Sequence, residues 1–188
     1  MNAGVAALAA GLRTAALLAA GRADGVTAIE PGLAGARRSF LAALLSLPLF
    51  FLLRVLDWSE GALPPHPGHA IGLDLLGFVI GWAGFALLTR PLVAAIGRAP
   101  LWPRYLAVWN WCNFAQYVLL TLGAVPEFLG APVIMQQTTA LVTLGWAIWL
   151  EWYATRTALA IGGLPAALFT LLDLALGVAL AGLADLLA

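Results

Sequence analysis

Five polar side chains fall inside long apolar segments of this chain, where an ionisable or amide group needs either a partner or a purpose. Two of them are carboxyl groups, Asp74 and Asp173, and three are the amides of Asn110, Asn113 and Gln136. Carboxyl groups inside a membrane often relay protons or bind a substrate, whereas amides often join helices by hydrogen bonds. The sequence therefore offers two interpretations, a solute or proton path and a set of packing contacts.

Small residues share the helix faces of the two aspartates. At about 3.6 residues per turn, Gly77, Gly81 and Gly84 lie on the same face as Asp74, and Gly177 lies on that of Asp173. Small residues at this spacing let two helices approach closely. Close approach leaves little room for a pore, so the sequence favours the packing interpretation.

Other chemistry has weaker support in the sequence. His66 and His69 form an H-x-x-H, with Asp57 not far away, but they lie in a segment rich in Pro and Gly. A metal site needs three or four convergent ligands in a rigid frame, so we predict neither a metal nor a cofactor. The sequence contains no H-E-x-x-H, G-x-S-x-G, P-loop or G-x-G-x-x-G motif, and we predict that the protein is not an enzyme.

Composition indicates that lipid is the solvent for these elements. Of the 188 residues, 63% are hydrophobic and only 10% are charged, and the mean hydropathy is +0.96. Nine basic and nine acidic residues cancel, so no basic field favours nucleic acid as a partner. All nine basic residues are arginine. Codon use in a GC-rich genome accounts for that bias and favours a multi-pass protein of a bacterial inner membrane.

The chain predicts an all-α, polytopic transmembrane helix bundle with five spans. A span needs about 20 mostly apolar residues. Five segments meet that need, at Phe40–Trp58, Ala70–Thr89, Tyr105–Val125, Val133–Trp152 and Leu164–Ala184. Residues 39–188 thus form one five-span domain, and residues 1–38 form a cytoplasmic N-terminal segment.

Arginine sets the predicted orientation, because loops near span ends retain positive charge on the cytoplasmic side. Arg37 and Arg38 precede the first span, Arg98 lies between the second and third, and Arg156 lies between the fourth and fifth. The N-terminus is therefore expected inside and the C-terminus outside. Arg54 breaks the pattern, and we expect it to pair with Asp57 or Asp74.

The first twenty residues lack a basic start and carry Arg13 within the apolar stretch, so we expect them to be retained rather than cleaved. Apolar residues at Val5, Leu8 and Leu12 fall on one side of a helix. They predict a weakly amphipathic helix at the cytoplasmic interface, with a frayed Ala-rich tail as the alternative.

Two stretches resemble the bacterial members of the Yip family, five-span proteins named for Rab GTPase interaction in eukaryotes. One runs from Trp149 to Gly162, with a Trp-containing helix end, Arg156 and a glycine-flanked apolar turn, and the other runs from Pro100 to Asn113. The similarity covers about residues 38–188 and concerns layout. It implies a membrane scaffold or trafficking adaptor and carries over no catalytic residue, and the acidic Tyr-Gly-Pro signature of eukaryotic members is absent.

Two functional hypotheses follow, and we rank the first higher. The first is a non-enzymatic scaffold or partner subunit whose partners are the lipid bilayer and another membrane protein or a second copy. The second is a small transporter or proton-coupled permease that uses Asp74 and Asp173. A metal-dependent enzyme at His66 and His69 ranks last.

Overall fold

The computed structural model describes residues 3–61 and 63–187, and the regular elements of this part of the chain are all helices, with no strand. The α-helices are α1 (Ala3–Ala19), α2 (Gly32–Ser39), α3 (Leu41–Glu60), α4 (Pro67–Ala95), α5 (Trp102–Gly123), α6 (Val125–Phe128), α7 (Val133–Leu159) and α8 (Gly163–Leu187). Two 3₁₀ helices, Ala23–Thr27 and Ala99–Leu101, lie in connections. The predicted all-α class is confirmed.

Four helices in the described ranges are long and apolar enough to cross a membrane. They are Gly32–Ser59, in which α2 and α3 are nearly continuous, Pro67–Ala95, Val133–Leu159 and Gly163–Leu187. Their outward faces carry large exposed apolar side chains such as Leu44, Leu87, Leu141 and Leu164. In water such a surface would associate, whereas in lipid it is the expected outer face. The protein is accordingly a membrane-embedded, multi-pass helix bundle.

The third predicted span corresponds to α5, which is not one of these four helices. It has 22 residues, and every residue from Tyr105 to Cys112 is buried. Its partners are α1, α2, α3, α4 and α7. Because α5 is surrounded by other helices, its tryptophans and amides contact protein, and its hydropathy falls below that of a lipid-facing helix. The structure thus makes α5 the central helix of the bundle.

The N-terminal segment folds back onto the bundle. In α1, Gly11 lies so close to Trp111 of α5 that an added Cβ would be 1.8 Å from the indole ring. Thr14 donates its hydroxyl hydrogen bond to the carbonyl of Gly25 at 3.0 Å, and Leu18 is fully buried. Val5 and Leu12 remain exposed. The segment is therefore a helix with one face packed on α5 and one apolar edge turned outward.

The connection between α7 and α8 is shorter than the sequence predicts. The fourth span was predicted to end at Trp152, but α7 continues to Leu159 and contains Arg156 in its last turn. Leu159 is buried, and Arg104 of α5 donates to the carbonyl of Ala158 near the end of the helix. Packing and this hydrogen bond extend α7 to Leu159, seven residues past the predicted end of the span at Trp152.

Candidate functional site

A cavity of about 540 Å³ opens between α3, α4, α5, α7 and α8. That volume lies within the range of about 300–1,000 Å³ that is typical of sites for small ligands. Its polar and charged lining residues are Arg54, Asp57, Asp74, Trp109, Asn113, Gln116, Tyr117, Glu151 and Asp173. The bundle therefore encloses a space with several ionisable groups, which the packing interpretation did not anticipate.

An arginine-centred ion network occupies the more exposed end of this cavity. The Nε atom of Arg54 donates to Oδ2 of Asp74 at 2.6 Å, and the Asp74 side chain is only 10% exposed. The guanidinium also lies 3.4 Å from Asp185 and 3.9 Å from Asp57, both of which are largely exposed. The expected pairing of Arg54 with Asp57 or Asp74 is thus present with both. The network links α3, α4 and α8, and it balances the charge of Asp74.

A second acidic group lies deeper in the bundle, where Asp173 of α8 faces α5 and α7. Trp109 of α5 donates its indole N–H to Oδ2 of Asp173 at 3.1 Å. The carboxyl group of Glu151, on α7, is a direct neighbour of the Asp173 carboxyl group. Twelve positions separate Asp173 from Asp185, which is about 18 Å along α8. The deep pair is therefore well separated from the arginine network.

Glu151 is the least satisfied polar group of the cavity. Its residue is only 3% exposed, and within the described part of the chain its Oε1 atom has no hydrogen-bond partner. The neighbouring amide of Gln116 donates instead to the carbonyl of Ala147 at 2.8 Å. A buried charge without hydrogen-bond donors raises the free energy of the folded protein by about 2 kcal/mol or more. A proton, a cation or the donor of a ligand would relieve this cost.

Aromatic rings form a continuous wall of the same cavity. Ring centroids of Phe50 and Phe78 lie 5.0 Å apart, those of Phe78 and Tyr117 lie 6.1 Å apart, and those of Trp82 and Trp109 lie 5.4 Å apart. Phe78 and Trp82 are also in contact at 5.8 Å, which joins the two groups. The wall offers a largely apolar surface of aromatic rings to a hydrophobic group.

The structure brings together only part of the predicted polar set. Asp74, Asn113 and Asp173 line the cavity. Asn110 faces another side of α5, where its amide donates to the hydroxyl of Ser39 at 2.7 Å. Gln136 lies near the start of α7 and donates to the carbonyl of Ala131 at 2.8 Å. The five polar side chains singled out in the sequence therefore do not line one common space.

The small residues of α4 lie against α8 of the same chain. An added Cβ at Gly77 would lie 4.0 Å from Leu180, and one at Gly81 would lie 3.7 Å from the same side chain. An added Cβ at Gly84 would lie 4.0 Å from the side chain of Leu176. Gly177 is different, because it lines the cavity and an added Cβ there meets no atom within 4 Å. Close helix approach and an open cavity therefore coexist on neighbouring faces.

The two histidines lie outside this site. His66 precedes the first turn of α4, His69 lies within it, and both are exposed. Among the described residues, no group of three or more His, Cys, Asp or Glu side chains is arranged to hold a metal ion.

Glu151 and Gln116 were not among the candidates from the sequence. The sequence places the end of the fourth span at Trp152, one residue beyond Glu151. A usable signal was present, because Thr143, Ala147, Glu151 and Thr155 recur at four-residue spacing and all are buried. Such a stripe of small and polar residues marks the protein-facing side of a membrane helix.

No family model, no curated protein and no solved structure matches this chain. The resemblance to the Yip family therefore stays a prediction.

Proposed function

We propose that this protein is a small permease that moves a solute across the membrane through the cavity, coupled to proton exchange at Glu151 and Asp173. The observation that carries the proposal is the buried, incompletely satisfied Glu151 carboxyl group beside Asp173 at the deep end of an open cavity. The proposal includes α5 as a fifth span, since 22 residues of helix measure about 33 Å. It also keeps the N-terminus in the cytoplasm, as the arginine distribution predicts.

The carboxyl pair supplies a physical basis for coupling. Two adjacent carboxylates in a low-dielectric site repel each other, so the pair is stabilised by holding one proton or by binding a cation. A bound proton therefore disfavours a bound cation, and a bound cation disfavours a proton. This competition is what an exchange of protons for solute requires. The other ionisable groups near the pair are Tyr105, Cys112 and Tyr117 from α5, and Arg54, Asp57 and Asp74 line the far end of the same cavity.

The scaffold hypothesis rests on two features, the absence of catalytic motifs and small-residue faces that a partner helix could approach closely. The second feature is used largely within the chain. In the structure, Gly77, Gly81 and Gly84 are approached by Leu176 and Leu180 of the same chain. A scaffold role stays a prediction, and it is tested by asking whether the protein purifies with a constant partner in mild detergent.

Transport by proteoliposomes tests the permease proposal. Vesicles that contain the purified chain are given a proton gradient and presented separately with cationic, anionic and neutral small solutes. We expect concentrative uptake of at least one class, and we expect Glu151→Gln to abolish it. Glu30→Gln is the matched control, because Glu30 pairs with Arg38 on the N-terminal segment outside the cavity. Absence of gradient-driven uptake for every class, or full uptake by Glu151→Gln, would refute the proposal.

A further inference from the structure

We propose that the cavity selects a small organic cation, an ammonium group attached to an apolar body, whose charged head is held at Glu151 and Asp173. This inference rests on the proposed function in that the bound cation is also the transported solute. It defines the solute by chemical class, which the transport proposal leaves open.

The distribution of charge in the cavity favours a cation over an anion. Four carboxyl groups line it, those of Asp57, Asp74, Glu151 and Asp173, and of the described lining residues Arg54 alone is basic. Arg54 is already engaged by Asp74 at 2.6 Å. The deep end thus has two carboxyl groups and no basic side chain, so an anion would meet only repulsion there.

The second observation is the state of Glu151. Its Oε1 atom lacks a hydrogen-bond partner within the described chain, although the residue is almost completely buried and lines the cavity. Asp173 accepts a hydrogen bond from Trp109, whereas the Gln116 amide near Glu151 donates to a backbone carbonyl. The deep carboxyl pair therefore has few hydrogen-bond donors around it, and a ligand ammonium group balances its negative charge.

The aromatic wall specifies the remainder of the ligand. Trp109 contributes both to the wall, where its ring meets that of Trp82 at 5.4 Å, and to the hydrogen bond with Asp173. Because Trp109 turns the N–H edge of its ring toward Asp173 and stacks on Phe85 at 4.3 Å, an ammonium group beside Asp173 lies next to an aromatic edge, and the wall adds apolar contact to the ion pair. Phe50, Phe78 and Tyr117 extend the apolar surface along the cavity. They suit the body of an aromatic or branched aliphatic amine.

A metal cation fits these residues less well. Calcium requires six or more oxygen ligands, and magnesium requires near-octahedral geometry. The described residues contain no cluster of three metal-ligating side chains. A volume of about 540 Å³ is also much larger than a single metal ion needs. An organic cation uses the charge, the rings and the volume together.

Equilibrium binding to the full chain in nanodiscs of zwitterionic lipid tests the inference. The probe is radiolabelled benzyltrimethylammonium, whose charge is permanent and therefore independent of pH. Its neutral isostere, neopentylbenzene, has the same shape without the charge, and benzoate serves as the anionic comparison. We expect saturable binding of the cation at one site per chain and at least about tenfold weaker competition by both comparison compounds.

Variants of Glu151 and Asp173 test whether the carboxyl pair binds the cation. Glu151→Gln and Asp173→Asn keep the side-chain volumes, and each should weaken cation binding at least about tenfold, whereas Glu30→Gln should leave it unchanged. Equal competition by neopentylbenzene, or unchanged binding in both cavity variants of confirmed helical content, would overturn the inference. Cation binding without gradient-driven uptake would refute the permease proposal alone. Uptake of a neutral or anionic solute that Glu151→Gln abolishes would support the permease and overturn the cation inference.

Discussion

Arg54 of α3 and Asp74 of α4 form an ion pair in which Nε and Oδ2 are 2.6 Å apart, although twenty positions separate the two residues in the chain. The Asp74 side chain is 10% exposed and that of Arg54 is 27% exposed. Such a pair gains little in net stability, but removing one partner leaves the other charge buried. The contact therefore fixes the relative position of α3 and α4 at one end of the cavity.

Replacing Arg54 with Gln should destabilise the protein because it leaves the Asp74 carboxylate without its cation. We expect the free energy of unfolding to fall by about 1–2 kcal/mol, a value reduced for the partial exposure of the guanidinium. The double variant Arg54→Gln/Asp74→Asn should recover part of this loss. Unfolding in mixed micelles provides the measurement. Arg22→Gln is the control, because Arg22 and Asp24 form an exposed pair and no measurable change is expected. Equal effects of the two arginine substitutions would contradict this account.

The docking of α1 on α5 should depend on the absence of a side chain at Gly11. An added Cβ would lie 1.8 Å from the Trp111 ring, so Gly11→Ala forces the helices apart. Overpacking of this kind costs about 1–3 kcal/mol, more than the helix propensity that alanine gains. We expect faster proteolysis between α1 and α2. Gly4→Ala is the matched control, since nothing lies within 4 Å of a Cβ there. Equal protease resistance of the two variants would show that α1 is not held against Trp111.

The end of α7 offers a stabilising substitution. Ala160 has a φ of 51°, in the left-handed region that favours glycine, and the N–H of Ile161 donates to the carbonyl of Arg156 across the turn. Ala160→Gly should remove about 1 kcal/mol of strain and raise the unfolding temperature. Ala158→Gly, two residues earlier in the regular helix, should lower that temperature. A decrease for Ala160→Gly would contradict the turn geometry.

The contact between α4 and α8 should tolerate a methyl group but not a large side chain. A Cβ at Gly81 would meet Leu180 at 3.7 Å, an ordinary van der Waals distance, so Gly81→Ala should preserve binding of benzyltrimethylammonium. Gly81 also lines the cavity, so Gly81→Leu should fill part of it or displace α8. We expect the larger substitution to weaken binding at least about tenfold. Retained affinity in a folded Gly81→Leu protein would place the ligand elsewhere.

Much of the fold was predictable because the dominant force is partition into lipid. Long apolar runs identify α3, α4, α7 and α8 without reference to any contact, and the cost of an unpaired intramembrane charge predicts a partner for Arg54. The approach of α4 to another helix at Gly77 and Gly81 follows from the same kind of local rule. These features depend on short segments of sequence.

The site was less predictable because it depends on which faces of central helices meet. Asn110 and Asn113 are three positions apart on α5, and both suit a polar stripe, yet one pairs with Ser39 and the other lines the cavity. Hydropathy cannot separate the two faces of a helix that protein surrounds. Glu151 was missed for a related reason, since the extension of α7 to Leu159 depends on packing beyond the interfacial tryptophans.

The most direct measurement of the central claim is the accessibility of the cavity to water from each side of the membrane. In a Cys112→Ala background, Gly177→Cys places a thiol where a Cβ meets no atom within 4 Å and where the cavity is open. Gly145→Cys is the matched control, because that glycine is equally unobstructed but lies on the outward face of α7. The account predicts that a charged, membrane-impermeant thiol reagent modifies Gly177→Cys from both sides and Gly145→Cys from neither. No modification of Gly177→Cys, or modification from one side only, would contradict it.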